Sequence, residues 1–403
     1  MHGTQGTQPA ARVGPRQDRR RMFVAMMMAQ GAFGSFQTLW PLYVAALGAT
    51  PPQVGLVLSL VGAMRLVALV PSGMLGDHVS ARWIMVGGQV LMALGLVSYS
   101  LSREWWQLIP AGLLFACGAA SFPAILATVA GIAGQGPQRV RTFTLINTVA
   151  PSLGLLVAPG IGGLVAARIA LRAAFLVAAA LTLVAAAYFS RVSTSTRLPT
   201  GPRPVGYRST LGQTAILRWC LLEMTAIFCV ALGASFVPNF LHGIRGVGVG
   251  TIGTFGSLSA AGSIVLGLLV HRVPHFRRPV PGIALALASV AGALLLVVTG
   301  RDLPAFAAAY VLLGGFFATW TLFEAALSGV ASERYRGRAY AVAEILSGTG
   351  YAIAPVIAGL LYARDPRAPM LLSASLILAL LVAFAALARA GSIPEAGRAE
   401  AAP

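Results

Sequence analysis

Four ionisable side chains interrupt long apolar runs in this sequence: Arg65, Glu223, Glu324 and Glu344. Charge within hydrocarbon is costly, so such groups are functional candidates by default. A carboxyl there can take up and release protons or meet a cation; an arginine can meet an anion or pair with an acid. Depth separates the four. At about 1.5 Å per helical residue, Arg65 lies about 18 Å from Asp77 and Glu324 about 13 Å from Glu333. Both are near the middle of a hydrocarbon core about 30 Å thick. Glu223 is only about 7.5 Å from Arg218, and Glu344 about 9 Å from Arg338, within reach of the interface. Glu324 is thus the leading proton-coupling candidate, with Glu223 and Glu344 behind it. Arg65 is the anion contact or the ion-pair partner.

Glu324 has polar company. Tyr310, Gly314, Phe317, Thr321, Glu324 and Ser328 recur at 4-3-4-3-4 spacing, which places them on one helical face. Fainter faces are Cys117, Ser121 and Thr128; Gln30, Gly34, Gln37 and Pro41, with Trp40 beside them; and Phe228, Leu232, Ser235 and Asn239. Such stripes serve either helix packing or a wet cavity. The cavity reading makes Gln30, Gln37, Trp40, Arg65, Ser121, Ser235, Asn239, Phe317, Thr321 and Glu324 its lining. Other chemistry is missing. There is no G-x-x-x-x-G-K-[ST] phosphate loop and no H-E-x-x-H pair. His271 and His275 are four apart but stand among Arg272, Arg277 and Arg278. No metal, no cofactor and no enzymatic activity are expected.

The elements that position these groups follow from composition. Charged residues make up 10% of the 403, the apolar set 57%, and mean hydropathy is +0.80. An ordinary soluble domain carries about 25% charge. Soluble enzymes, nucleic-acid modules and disordered chains are excluded, and a multi-pass membrane protein remains. Three cysteines make no disulfide framework. Twelve apolar runs are long enough to cross a bilayer: about 22–47, 54–75, 82–101, 106–133, 143–166, 172–190, 217–242, 250–271, 280–299, 303–330, 339–363 and 369–388. The fold class expected is an all-α membrane protein of twelve transmembrane helices in two six-helix bundles. Its parts are a basic N-tail 1–21, a first bundle 22–190, a linker 191–216, a second bundle 217–388 and a C-tail 389–403.

Orientation comes from arginine. The net charge of +18 is carried by 29 Arg with no Lys. With the N-terminus inside, 21 Arg fall in cytoplasmic segments and seven in outer loops. The positive-inside rule then puts both termini in the cytoplasm. Arg19-Arg20-Arg21 before an apolar stretch looks like a twin-arginine export signal; its counterpart in the second half favours a basic anchor on the first membrane helix.

The two halves repeat. Pro41 and Tyr43 match Pro238 and Phe240, Arg139 and Arg141 match Arg336 and Arg338, and Pro159 and Gly163 match Pro355 and Gly359. The offset stays at 196–197 residues. Gly73-Met74-Leu75 matches Gly267-Leu268-Leu269 at a similar spacing. Parallel six-helix repeats place a substrate site between the halves, near mid-membrane.

The stretch Gly73-Met74-Leu75-Gly76-Asp77-His78-Val79-Ser80-Ala81-Arg82 resembles the signature G-x-x-x-D-[RK]-x-G-[RK]-[RK] between helices 2 and 3 of the major facilitator superfamily. Gly73, Asp77 and Arg82 match; His78, Ser80 and Ala81 depart. Gly154 to Gly163 resembles that superfamily's antiporter motif on helix 5, with Pro159, Gly162 and Gly163 matching and Ala158 in place of a Gly. The resemblance covers about residues 20–390. It implies a monomeric, alternating-access secondary transporter of a bacterial inner membrane, with helices 1, 4, 7 and 10 around the cavity and Asp77 acting as a cytoplasmic latch. It points to proton-coupled efflux of a small amphipathic or cationic compound. The alternatives are a carrier of an anionic or neutral metabolite and a transporter-like receptor. An Arg that drug antiporters often carry on helix 4 is Leu114 here.

Overall fold

The computed structural model describes residues 15–133, 138–193 and 212–389. Within these, the side chains of 15, 69–78, 333, 334, 336 and 387–389 are outside the described set. So are most of the expected N-tail, linker and C-tail, and the side chains of Gly73 and Asp77.

All regular structure among the described residues is helical. In chain order, α1 comprises Pro15–Gln37 and Trp40–Ala46, α2 is Pro51–His78 and α3 Ala81–Leu101. Next, α4 comprises Leu108–Ala119 and Phe122–Ala133, α5 is Gln138–Arg168 and α6 Leu171–Phe189. The second half repeats the pattern. Here α7 comprises Thr214–Ala234 and Val237–Gly243, α8 is Val249–Arg272 and α9 Pro279–Thr299. Then α10 comprises Leu303–Leu313 and Gly315–Val330, α11 is Glu333–Arg364 and α12 Ala368–Arg389. Among the described residues, eleven helices, α2 to α12, are long and apolar enough to cross a membrane. The twelfth run of the sequence reading, α1, falls short because Arg20, Arg21, Gln30 and Gln37 dilute its apolar stretch.

The helices alternate in direction. One end of the bundle, here the terminal face, carries the start of α1 and the ends of α6 and α12. The other, the distal face, carries short turns such as the Gly48 link, whose φ of 84° only glycine adopts freely. On the terminal face Arg21 donates to the Arg191 carbonyl at 2.6 Å, and Asp18 accepts from the Ser193 amide at 3.2 Å. These bonds tie the start of α1 to the end of α6.

Four helices are broken, and the breaks repeat between halves. The gap after Gln37 in α1 corresponds to that after Ala234 in α7; the gap after Ala119 in α4 corresponds to the one at Gly314 in α10. Three of the following pieces carry Pro41, Pro123 or Pro238 at their second position. Proline removes a backbone donor and disfavours the α conformation of the residue before it, so the helix is interrupted there. At the fourth break glycines substitute for proline. Gly314 lies so close to the backbone of Ser259, Gly262 and Ser263 on α8 that a Cβ would collide with it.

Two large cores form, one centred in each half, and each draws in some residues of the other half. The first half holds an aromatic cluster of Phe36, Trp40, Tyr43, Tyr99, Phe115 and Phe175. The second buries Trp219, Phe323 and Phe384. The halves meet along two seams, α2 against α11 and α5 against α8. These seams are repeat-related. Both contain a helix with an interior proline, and in both the residue after that proline donates its amide to a serine of the other half. Gly160 N–H reaches Ser257 Oγ at 3.1 Å, and Val356 N–H reaches Ser59 Oγ at 3.1 Å. Small residues let the backbones approach. A Cβ on Gly163 would stand 2.8 Å from the Gly250 carbonyl oxygen, and one on Gly359 2.5 Å from that of Pro51.

Candidate functional site

Among the described residues, the glycine-to-backbone approaches between halves lie in the distal part of the seams. Towards the terminal face α8 is exposed, with Val265 58% and Leu268 52% accessible. Further along the α2–α11 seam, towards the terminal face, lies an ion pair. Arg65 Nη2 lies 3.7 Å from Glu344 Oε1, and the side chains are 51% and 33% exposed. It joins the two halves.

Around this pair the structure gathers the acids that the sequence scattered. Glu344 on α11 and Glu324 on α10 interact electrostatically, and Glu223 on α7 feels both. Glu324 is exposed, whereas Glu223 is 2% accessible. Glu223 is therefore covered by its neighbours, whatever its depth. It turns inward between α7 and α11, where the buried Ser347 hydroxyl is its hydrogen-bond neighbour. Ser347 also donates to the Ala343 carbonyl at 2.7 Å. No three acidic, Cys or His side chains come close enough to hold a metal among the described residues.

Above the acids towards the distal face lies an aromatic layer. Tyr351, two turns beyond Glu344 on α11, meets Phe316 and Trp320 of α10 edge-on. Phe317 packs on Phe316, and Thr321 is exposed one turn from Glu324. The Arg65 charge reaches Tyr351.

The other candidates divide. Gln30 and Gln37 are half-buried on α1. Asn239 Nδ2 bridges the halves at the distal end by donating to the Pro41 carbonyl at 3.2 Å, while its Oδ1 is buried without a partner. Ser235 is half-buried and bonds the Ala231 carbonyl at the break in α7. Two candidates are drawn away from any cavity. Trp40 is 9% accessible and wedged among Phe36, Tyr43, Tyr99 and Phe175. Ser121 is 3% accessible and closes the turn at the α4 break by donating to the Gly118 carbonyl. Of the signature between α2 and α3, Arg82 is exposed in the first turn of α3. Gly73 and Asp77 lie outside the described side chains. Of the α5 motif, Pro159 and Gly163 face the α8 seam, while Gly162 packs on the Ser35 carbonyl of α1 within its own half.

A sequence model described as Major Facilitator Superfamily matches residues 22–317 and 277–403. The chain belongs to that superfamily. Solved structures agree on the fold. The nucleoside transporter NupG superposes with a TM-score of 0.75 at 16% identity, covering 92% of this chain and 99% of its own. A bacterial homologue of the human lysosomal transporter Spinster, inward-facing and unoccupied, gives 0.72 at 15% identity, covering 95% and 98%. The human organic anion transporter MFSD10 gives 0.62 at 18% identity, covering 93% and 100%. At these identities the likeness concerns the fold. Among curated proteins, none matches by sequence. This superfamily member is therefore a multi-pass membrane protein with a transporter's architecture, and its relatives are transporters and not enzymes.

Proposed function

We propose that this chain is a secondary active transporter that exchanges protons for a small amphipathic cation by alternating access. It has twelve crossings, with α1 as the first, and the terminal face lies in the cytoplasm of a bacterial inner membrane. It works as a monomer and exports its cargo. The observation that carries this reading is the charge balance of the wall formed by α7, α10 and α11. Glu223, Glu324 and Glu344 act on one another, and the Arg65 guanidinium is opposite Glu344. The aromatic layer beside them offers ring faces to an apolar cation. Glu324, exposed in this wall, meets the cargo or the proton first; Glu223 is the buried acid behind it. Carriage of an anionic or neutral metabolite is the second reading, and Arg65 would then be the contact.

Proteoliposomes with an imposed pH gradient and an internal pH-sensitive dye test this. Addition of lipophilic cations should move protons in the wild type, and Glu324→Gln should abolish the movement. A response to anionic metabolites alone would transfer the assignment to the second reading. Cation binding without any flux in sealed vesicles would indicate a receptor.

A further inference from the structure

Arg65 is a basic group from one half set against an acidic wall belonging to the other. It lies in no helix core. It is half-exposed, its contact with Glu344 is loose, and that contact spans the α2–α11 seam. The nearby Tyr351, Trp320 and Phe316 form a ring layer of the kind that receives an organic cation.

We infer that Arg65 is a built-in competitor that occupies the cation subsite at Glu344. An incoming monovalent organic cation displaces it. The inference rests on the cationic-cargo reading above and adds what that reading lacks: the place where the cation's charge is held, and the link from that place to the contact between halves. The logic is linkage. A ligand shifts a conformational equilibrium only by its differential affinity for the two states. Arg65 holds Glu344 only while α2 and α11 are adjacent. A cargo that takes Glu344 removes an attraction between the halves across the α2–α11 seam. Glu324 and Glu223, the other charged groups facing Glu344 from α10 and α7, stay on the cargo's side of the exchange.

The test uses the full-length protein in lipid nanodiscs and tetraphenylphosphonium as the probe, with affinity measured by equilibrium dialysis. Removing the competitor in Arg65→Gln should tighten binding by about 5-fold, the equivalent of about 1 kcal/mol. Arg65→Lys should stay near the wild type, and Glu344→Gln should bind weakly. The decisive comparison is the double variant. If Arg65 acts by occupying Glu344, then Arg65→Gln changes nothing once Glu344 is Gln. If it acts only through the general field of the cavity, the gain persists in the double variant and the inference is overturned. The double variant also removes both charges together, so it leaves no unpaired group to compromise folding. Wild-type binding that survives undiminished in Glu344→Gln likewise overturns the subsite but leaves cationic cargo standing. Failure of every form, wild type included, to bind the probe would sink both.

Discussion

The α5–α8 seam gives the sharpest quantitative expectation. Gly163 faces α8 so closely that an added Cβ would meet three backbone atoms: the Gly250 carbonyl oxygen and Gly253 Cα at 2.8 Å, and the Gly253 carbonyl carbon at 3.0 Å. Ordinary contact begins near 3.4 Å. Backbone cannot rotate aside as a side chain can, so in Gly163→Ala the two helices must part by roughly half an ångström along the seam. Overpacking of this kind costs roughly 1–3 kcal/mol. The cost falls only on the state in which the distal ends are together, so it appears as a population shift of about 5- to 150-fold towards distal opening. Spin labels at Ile169 and Ile244, exposed near the distal ends of α5 and α7, would read this in nanodiscs as a new, longer distance. Gly267→Ala is the control, because a Cβ there meets nothing within 4 Å. Identical distance distributions for Gly163→Ala and Gly267→Ala would refute the argument that the seam's glycines hold the distal side shut.

Further expectations follow from single contacts. Ser59→Ala and Ser257→Ala each delete one cross-seam bond, so each should weaken distal closure by about 0.6 kcal/mol, typical of hydrogen bonds between membrane helices. Similar shifts in the same label experiment would support their equivalence; an effect from only one would break it. Tyr43 donates to the Tyr99 carbonyl at 2.6 Å, whereas the Tyr99 hydroxyl is buried without a partner. Tyr43→Phe should therefore cost about 1 kcal/mol, and Tyr99→Phe should cost nothing or stabilise. A thiol-reactive dye reports unfolding through the buried Cys220 and Cys229 in a Cys117→Ser background, since Cys117 is exposed. Asp302 caps α10 by accepting from the Ala305 amide at 3.2 Å. Asp302→Ala should lower stability by about 1 kcal/mol in the same assay.

The sequence revealed most of the architecture because hydrophobic run length and repeat offset are local or one-dimensional signals. The Pro159–Gly163 and Pro355–Gly359 pairs, found as an offset, are the very positions where the seams close. Breaks in α1, α4 and α7 were also legible in principle, since Pro41, Pro123 and Pro238 mark them; the α10 break at Gly314 carries no such signal. The site was only half legible. Depth along a helix singled out Arg65 and Glu324, but it left the burial of Glu223 unread, because distance from Arg218 says nothing of which way the helix faces its neighbours. The grouping of Glu223, Glu324 and Glu344 depends on how α7, α10 and α11 pack, and no spacing within one helix encodes that. Trp40 and Ser121 show the converse error. A polar or aromatic residue at the right helical angle was consumed by packing next to a helix break.

The count of charges on the acidic wall has a consequence for the membrane potential. Glu223, Glu324 and Glu344 together with Arg65 leave an excess of two negative charges, to be neutralised either by two protons or by one proton and a monovalent cargo. A cycle that brings in two protons for each cation it removes carries one net charge across the bilayer. A potential then drives it with about 2.3 kcal/mol per charge for each 100 mV. One-for-one exchange is blind to voltage. Whether cargo movement quickens when a potassium diffusion potential is imposed on the vesicles would thus tell how many of the wall's acids are emptied in each turnover.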